Sequence, residues 1–340
     1  MKSVSMQGEL NGRLSAVGSM KRTERIVLSK LLLFTMLVAG VTAAHALTPA
    51  GPKRPATVPE DYVVTPFGYF HPSCVRQLGQ GDVLHEDEGT VHHADGSIQE
   101  IQECAYPHYH SDGEEAREEG SAAATLPYIG HSWIEYGSVT TSSSYGEIAA
   151  TWTVPPAPSA NDGQVVYLFP GMEDYKDVVS IVQPVLGWNA DFAGDWGIAS
   201  WNCCAKGVTW ESTPVKVKAG DSIFGAVYDT CAAGTLSCPT WNILTDDLTS
   251  GHVTELTKSS SVGQTFNWAF GGALEVYYIS KCADYPSNGS ISFKSIGLYN
   301  DKFVNIASPG WTISNVSAGL TPQCSYGGSV VSASDVKLTY

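Results

Sequence analysis

Two polar residues stand on strands that are otherwise apolar. Gln183 sits in "SIVQPVLGW" (180–188) beside Val182, and Glu275 sits in "GGALEVYYIS" (271–280) between Leu274 and Val276. Side chains alternate faces along a strand, so Ile181, Gln183 and Val185 share one face while Val182 and Leu186 share the other. In the second run Ala273, Glu275, Tyr277 and Ile279 point one way, and Leu274, Val276 and Tyr278 point the other. Each strand thus puts one strong hydrogen-bonding group on an apolar or aromatic face. Burying such a group without a partner costs about 1–3 kcal/mol. A carboxylate can take a proton from water, and a glutamine amide can donate to an oxyanion and accept from the same water. Together they can hydrolyse an amide by general-base catalysis without metal or serine. An ordinary exposed sheet face, or a core polar group with a partner, is the simpler alternative.

The rest of the chain must position such a pair. It has 340 residues, 34 glycines, 16 tyrosines and 9 tryptophans, with only 16% charged residues, a balance that favours an exported all-β protein. The net charge of −15 makes nucleic acid and anionic membrane poor partners. From Tyr128 onward nine lysines face eighteen acidic residues, and the last arginine is Arg117. Such a surface loses self-repulsion as pH falls, which suits acid conditions.

The N-terminus reads as a secretory signal over 1–46, with Met20 as a possible true start. Lys21, Arg22 and Arg25 precede a roughly fourteen-residue apolar run from Leu31, and Ala44-His45-Ala46 offers small residues for cleavage. After its removal no membrane contact is expected. Eight cysteines fit export. None falls in a CxxC spacing, so no metal site and no cofactor are expected. Connectivity does not follow from spacing. The expected pairs are Cys74–Cys104, Cys231–Cys238 and Cys282–Cys324, leaving Cys203 and Cys204 as free thiols or a vicinal pair.

Residues 47–110 read as a small Cys-framed hairpin unit, a possible propeptide, with "HADGS" as its turn signal. Residues 111–127 are charged and then Ala-rich, as an exposed, cleavable linker would be. From 128 to 340 short β-type runs recur between turn residues: "GEIAATWTVP", "QVVYLFPGM", "VVSIVQPVLGW", "VKVKAGDSIFGAVY", "ALEVYYIS". This pattern predicts an all-β, antiparallel β-sandwich, monomeric, preceded by the N-terminal hairpin unit.

Those runs also resemble a known family, the eqolisin-type glutamic peptidases. These are secreted acid endopeptidases with a concanavalin A-like, jelly-roll-type sandwich. The resemblance covers roughly residues 128–285. It begins at "GHSWIEYGS" with Trp133 and passes through "IAATWTVPPAP". "VYLFPGMED" is similar to the family's Trp-Val-Gly-Ile-Asp stretch, with Phe169 in the Trp place and Glu173 in the Asp place. "IVQPVLGW" looks like the glutamine strand, "IASWNCC" like the aromatic strand after it, and "VKAGDSIFGAV" like the Gly-Asp strand. The resemblance implies Gln183 and Glu275 as catalytic residues and a polypeptide substrate. Glu173, Phe169, Trp188, Trp201 and Tyr277 would line the substrate cleft. The family's catalytic strand carries two glutamates where this chain has Glu275 alone; aligned on the first, Ile279 takes the catalytic place. The neprosin-type glutamic peptidases, which use two glutamates, are a further resemblance, and they make Glu173 or Glu211 the partner to test.

Five histidines (His85, His92, His93, His108, His110) crowd the N-terminal unit. They can be solvated hairpin residues, zinc ligands or a pH-sensitive group. Two rivals to the peptidase remain. A sandwich face carrying Trp and Tyr binds glycan or peptide by stacking without catalysis. A glycanase needs two carboxylates roughly 5–9 Å apart, and no Glu pair on one strand supports it.

Overall fold

The computed structural model describes residues 54–85, 88–116, 132–175, 180–315, 320 and 322–340. The signal-type segment 1–46 and residues 117–127 of the linker lie outside them. The described residues form an all-β sandwich of two sheets, with strands of β-branched and aromatic residues broken by glycine-containing turns.

The first sheet runs β19 (Thr312–Asn315), β7 (Trp133–Thr140), β17 (Trp268–Tyr277), β9 (Val165–Glu173), β10 (Ile181–Trp188), β11 (Trp196–Cys203), β12 (Thr209–Ser212) and β3 (Val75–Leu78). β13 (Val215–Val217) adds to β11. The second sheet runs β20 (Gly327–Ser332), β21 (Asp335–Thr339), β18 (Ser290–Asn300), β8 (Tyr145–Thr153), β14 (Ser222–Asp229), β15 (Thr240–Asp247), β16 (His252–Ser260), β4 (Val83–His85), β5 (Thr90–His92) and β6 (Ile98–Glu100). Pairing is antiparallel except where β3 joins β12 and β4 joins β16.

The two sheets differ in what their outer faces meet. β15 alternates half-buried and buried residues along its length, as a strand with one wet face should. β9, β10, β11 and β17 are buried at every position. Their inner face, with Leu168, Val182, Leu186, Ile198 and Leu274, meets Ile148, Trp152, Ile223 and Val227 of the second sheet. Trp188 and Trp196 lie in this inner layer too, edge to face at 5.4 Å. The outer face of these strands is closed by a second apolar layer to which the N-terminal segment contributes Val58, Tyr62, Tyr69, Phe70 and Cys74.

That segment is attached to both sheets. β3 pairs in parallel with β12 over Val75–Leu78 against Thr209–Ser212, and β4 meets β16 at Val83 and Thr257. The "HADGS" hairpin forms between β5 and β6, closed by the His93 N–H donating to the Ser97 carbonyl at 2.9 Å. The expected disulfides Cys74–Cys104, Cys231–Cys238 and Cys282–Cys324 are present, and Cys203 bonds to Cys204.

A further hairpin, β1 (Val63–Thr65) and β2 (Gly68–Phe70), has Pro66 and Phe67 as its two loop residues. The Thr65 hydroxyl ties the turn, accepting from the Phe67 N–H at 3.2 Å and donating to the Gly68 carbonyl at 3.1 Å. Gly68 has φ +114°, and a Cβ there would collide with the Tyr109 carbonyl oxygen. The Tyr69 N–H donates to that same carbonyl at 2.7 Å. Gly68→Ala is expected to loosen this hairpin at a cost of about 1–3 kcal/mol. Faster hydrogen exchange confined to 62–70, with a lowered Tm, is the result to look for; unchanged exchange there would show that the turn absorbs the Cβ.

Candidate active site

Gln183 is fully buried on β10, and neither its amide nitrogen nor its amide oxygen has a hydrogen-bond partner among the described residues. It faces outward with Ile181 and Val185, into the layer that holds Tyr167, Phe169, Ala199 and Trp201. Alternation from Gln183 puts Trp188, five residues on, on the opposite side. Trp188 therefore belongs to the interior between the sheets and does not line the cleft, contrary to the expectation from resemblance.

Register sets what surrounds the amide. Gln183 is directly opposite Trp201, and Trp201 is directly opposite Glu211. The three form one row on one face. Glu211 is 5% exposed; its Oε2 accepts from the Gln77 amide at 3.4 Å, and its carboxyl also hydrogen-bonds the Asp191 carboxyl. Burial, then the neighbouring Asp191 carboxyl, pushes the Glu211 carboxyl far up from the ordinary glutamate range. Across β9, Glu173 pairs with Ile181. It lies two residues along from the level of Gln183, the diagonal position in which side chains are roughly 7–8 Å apart at the backbone and long ones meet. Burial pushes the Glu173 carboxyl up to about 8.

Glu275 is also buried on this face. Its Oε1 accepts from the Tyr277 hydroxyl at 2.8 Å, Ser132 and Trp133 also hydrogen-bond its carboxyl, and burial drives its pKa well upward. It is not brought to Gln183. Glu275 pairs with Tyr167, and Tyr167 with Gly187, four residues from Gln183. Four residues are roughly 13 Å of strand, with β9 intervening as well. The level of Gln183 on β17 is held by Phe270, which pairs with Gly171. A Cβ on Gly171 would lie 2.8 Å from the Val182 carbonyl oxygen and 3.2 Å from the Gln183 Cβ, so glycine lets β10 press close here. The displacement accompanies a register shift in β17 between Phe270 and Ala273. A single run of letters cannot reveal such a bulge.

The remaining expected cleft residues share the face. Phe169 is fully buried against the edge of Trp133 at 5.3 Å, and Tyr277 serves Glu275. Tyr167 was not singled out from sequence, although its odd position in "QVVYLF" places it beside Phe169. Its hydroxyl donates to the Val64 carbonyl of the N-terminal hairpin at 3.4 Å. Phe67 at the hairpin tip packs edge-on to Trp201 at 6.0 Å, and Tyr69 packs edge-on to Tyr277 at 5.6 Å.

The histidines of the N-terminal unit have separate surroundings. His93 sits 3.0 Å from Asp82, His85 and His92 lie ring against ring, and His108 stacks on Phe70 at 4.7 Å. Burial lowers His108 to about 4 and also lowers His110. Asp229, Cys231 and Cys238 gather potential ligand atoms within 4.8 Å, but both sulfurs are spent in one disulfide.

The chain is similar to the scytalidoglutamic peptidase solved with a peptide-based transition state analog, at TM-score 0.45 and 18% identity over 64% of this chain and 100% of that one. It is equally similar to SCP-B, a member of the eqolisin family of peptidases solved with the tripeptide Ala-Ile-His, at TM-score 0.45 and 18% identity over the same shares. An alginate lyase from Klebsiella pneumoniae follows at TM-score 0.22 and 9% identity, over 51% of this chain and 61% of that one. No family model and no curated protein matches the chain.

The raised carboxyls carry a sign for stability. Glu173 and Glu135 are both pushed to about 8 by burial, from an ordinary 4.5. The folded state therefore holds more protons, so their contribution is full below about 4.5 and is lost as pH rises toward 8. The lowered His108 acts in a different window, removing stability as pH falls from 6.5 toward about 4. Between pH 6.5 and 8 the raised carboxyls and the raised His93 lose protons, and both changes lower stability as pH rises. Tm is expected to fall across that range, and Glu173→Gln is expected to flatten the fall. A Tm that rises from pH 6.5 to 8 would contradict the burial of these acids.

Proposed function

We propose that this chain is a secreted peptide hydrolase of the glutamic type, made with its reactive face covered and working in acid. The observation that carries the reading is the buried, unpartnered Gln183 amide with the Glu173 carboxyl at its diagonal. A buried amide without a protein partner calls for an explanation, and a role in binding water or substrate is one. Once water reaches the face, Glu173 returns toward the ordinary carboxylate range and ionises. It takes a proton from a water held by Gln183, the Gln183 amide donates to the oxyanion of the attacked peptide carbonyl, and Glu173 returns the proton to the leaving amine. The substrate is a polypeptide and the enzyme a monomer.

The cover does two things in this reading. It excludes substrate, and it keeps Glu173 neutral, so the base is absent while the face is closed. The four disulfides fit an oxidising compartment, and no helix of the described residues is long and apolar enough to cross a membrane. Activation cuts the 111–127 linker, giving a mature chain that begins between residues 111 and 130. Because β3 and β4 are paired into the two sheets, cutting alone does not free the cover. It must also peel from both edges.

One observation favours a different reading. Phe270, not a carboxylate, occupies the level of Gln183 on β17. An aromatic face without its second acid would bind glycan or peptide and leave it intact.

Digestion of casein or denatured haemoglobin at pH 3–5 separates the two. Cleavage by the processed chain is expected, with activity falling below the pKa of the base. Gln183→Ala should lower kcat by about 10²–10³-fold and Glu173→Gln by about 10²–10⁴-fold, both with the fold intact. Full activity in Glu173→Gln with none in Glu275→Gln would move the base back to Glu275. Absence of cleavage before and after processing would leave the binding reading.

A further inference from the structure

The N-terminal hairpin meets the outer face with a small set of contacts that amount to a ligand. Phe67 is the second residue of its two-residue tip and is only half-buried. Its ring lies against Trp201 at 6.0 Å, the residue directly opposite both Gln183 and Glu211. Three residues earlier, the Val64 carbonyl accepts from the Tyr167 hydroxyl at 3.4 Å. Tyr167 is buried, directly across from Glu275 and near Asp191 and Glu211, and its ring passes over Gly187, where a Cβ would come within 3.3 Å of it. A tyrosine hydroxyl in such surroundings needs a partner, and a peptide carbonyl supplies it. The tip therefore offers the face an aromatic side chain and a backbone carbonyl, and the face answers with an indole edge and a hydroxyl.

We infer that Trp201 and Tyr167 form a recognition subsite for an aromatic residue of a peptide, which the chain fills with its own Phe67. Trp201 receives the ring of an incoming Phe, Tyr or Trp. Tyr167 donates to a carbonyl on its N-terminal side. The ring sits over the Gln183–Trp201–Glu211 row, so a bound peptide passes beside the unpartnered Gln183 amide. Competition between Phe67 and the incoming ring sets the apparent affinity of the closed chain. The binding half stands on the contacts alone, and the cleavage half rests on the peptide-hydrolase reading.

The test uses the full chain. N-acetyl-phenylalaninamide and N-acetyl-alaninamide are titrated against wild type, Phe67→Ala and Phe67→Ala/Trp201→Ala, with calorimetry as readout. Emptying the subsite in Phe67→Ala is expected to tighten binding of the phenylalanine probe by about tenfold over wild type. Adding Trp201→Ala should remove about that factor again, and Tyr167→Phe in the Phe67→Ala background should weaken binding about threefold to tenfold. Equal affinity of the two probes, or equal affinity in all the variants, would overturn the subsite. Should Phe67→Ala fail to give a native near-ultraviolet spectrum, Phe67→Leu, a smaller change in volume, is expected to give the same order with a smaller gain; no gain there would also overturn it. The cleavage half is read from a random peptide mixture digested by the Phe67→Ala chain after processing. Cuts gathered next to aromatic residues support the inference, and cuts spread evenly overturn it while leaving the peptidase reading. Tighter probe binding with no cleavage supports the subsite and removes the peptidase reading instead.

Discussion

The structure turns on the burial of an amide and several carboxyls on a sheet that is closed on both faces. One face of β9, β10, β11 and β17 packs on the second sheet, as in any sandwich. The other would meet water but is sealed by an aromatic layer and by the N-terminal segment. Gln183, Glu173, Glu211 and Glu275 are caught in that layer. Carboxyls there remain tolerable only by staying neutral, because an unpaired buried charge costs far more than a proton does. Their raised pKa values, the fit of the protein to acid and the need for a tightly held cover all follow from that one enclosure.

Much of this was legible in the letters. Period-two alternation is a strong rule within a strand, so the facing of Ile181, Gln183 and Val185, and of Ala273, Glu275 and Tyr277, could be read directly. The same counting excludes Trp188 from the cleft, since five residues separate it from Gln183; the resemblance drew it there against that count. What counting cannot supply is register between strands. Whether Gln183 stands level with Glu275 or with Phe270 depends on how β17 is aligned along β9, which no letter states, and the bulge shifts that alignment by a further residue. Glu173 was legible as an acid in a strand, but its place diagonal to Gln183 follows only from the pairing of Ile181. The cover was hidden for a similar reason. "VVTPFGYF" reads as a short hairpin, and nothing in it names the surface it packs on.

The cover's attachment has an energetic logic. Its contacts to the face are aromatic and modest one by one, about 0.5–1.5 kcal/mol for a ring pair beyond the area buried. They are strengthened by strand pairing at both sheet edges, β3 on β12 and β4 on β16, and by the Cys74–Cys104 link, which closes the stretch that carries both attachments. The hairpin tip is the weakest part of this assembly. It has two loop residues, its Phe67 is half in solvent, and its hold on Tyr167 is a 3.4 Å hydrogen bond. Local opening begins where buried contacts are fewest, so the tip can lift from Trp201 while β3 and β4 stay paired.

That difference bears on how a face can be both stable and reactive. In the closed face burial raises the Glu173 carboxyl to about 8 and the Gln183 amide is fully buried, which favours the fold in acid. Exposing that face to water would let Glu173 return to its ordinary acidity. The group then ionises above roughly pH 4.5. The free energy gained by ionising Glu173 grows with pH, so the open form is favoured progressively as pH rises. Burial of His108, held near 4, acts in the opposite sense and loosens the packing as pH falls from 6.5 toward 4. The two slopes offset each other between about pH 4.5 and 6.5, so the closed state is held best there. A face closed over this pair of opposed groups is most secure in mild acid and is loosened on either side of it.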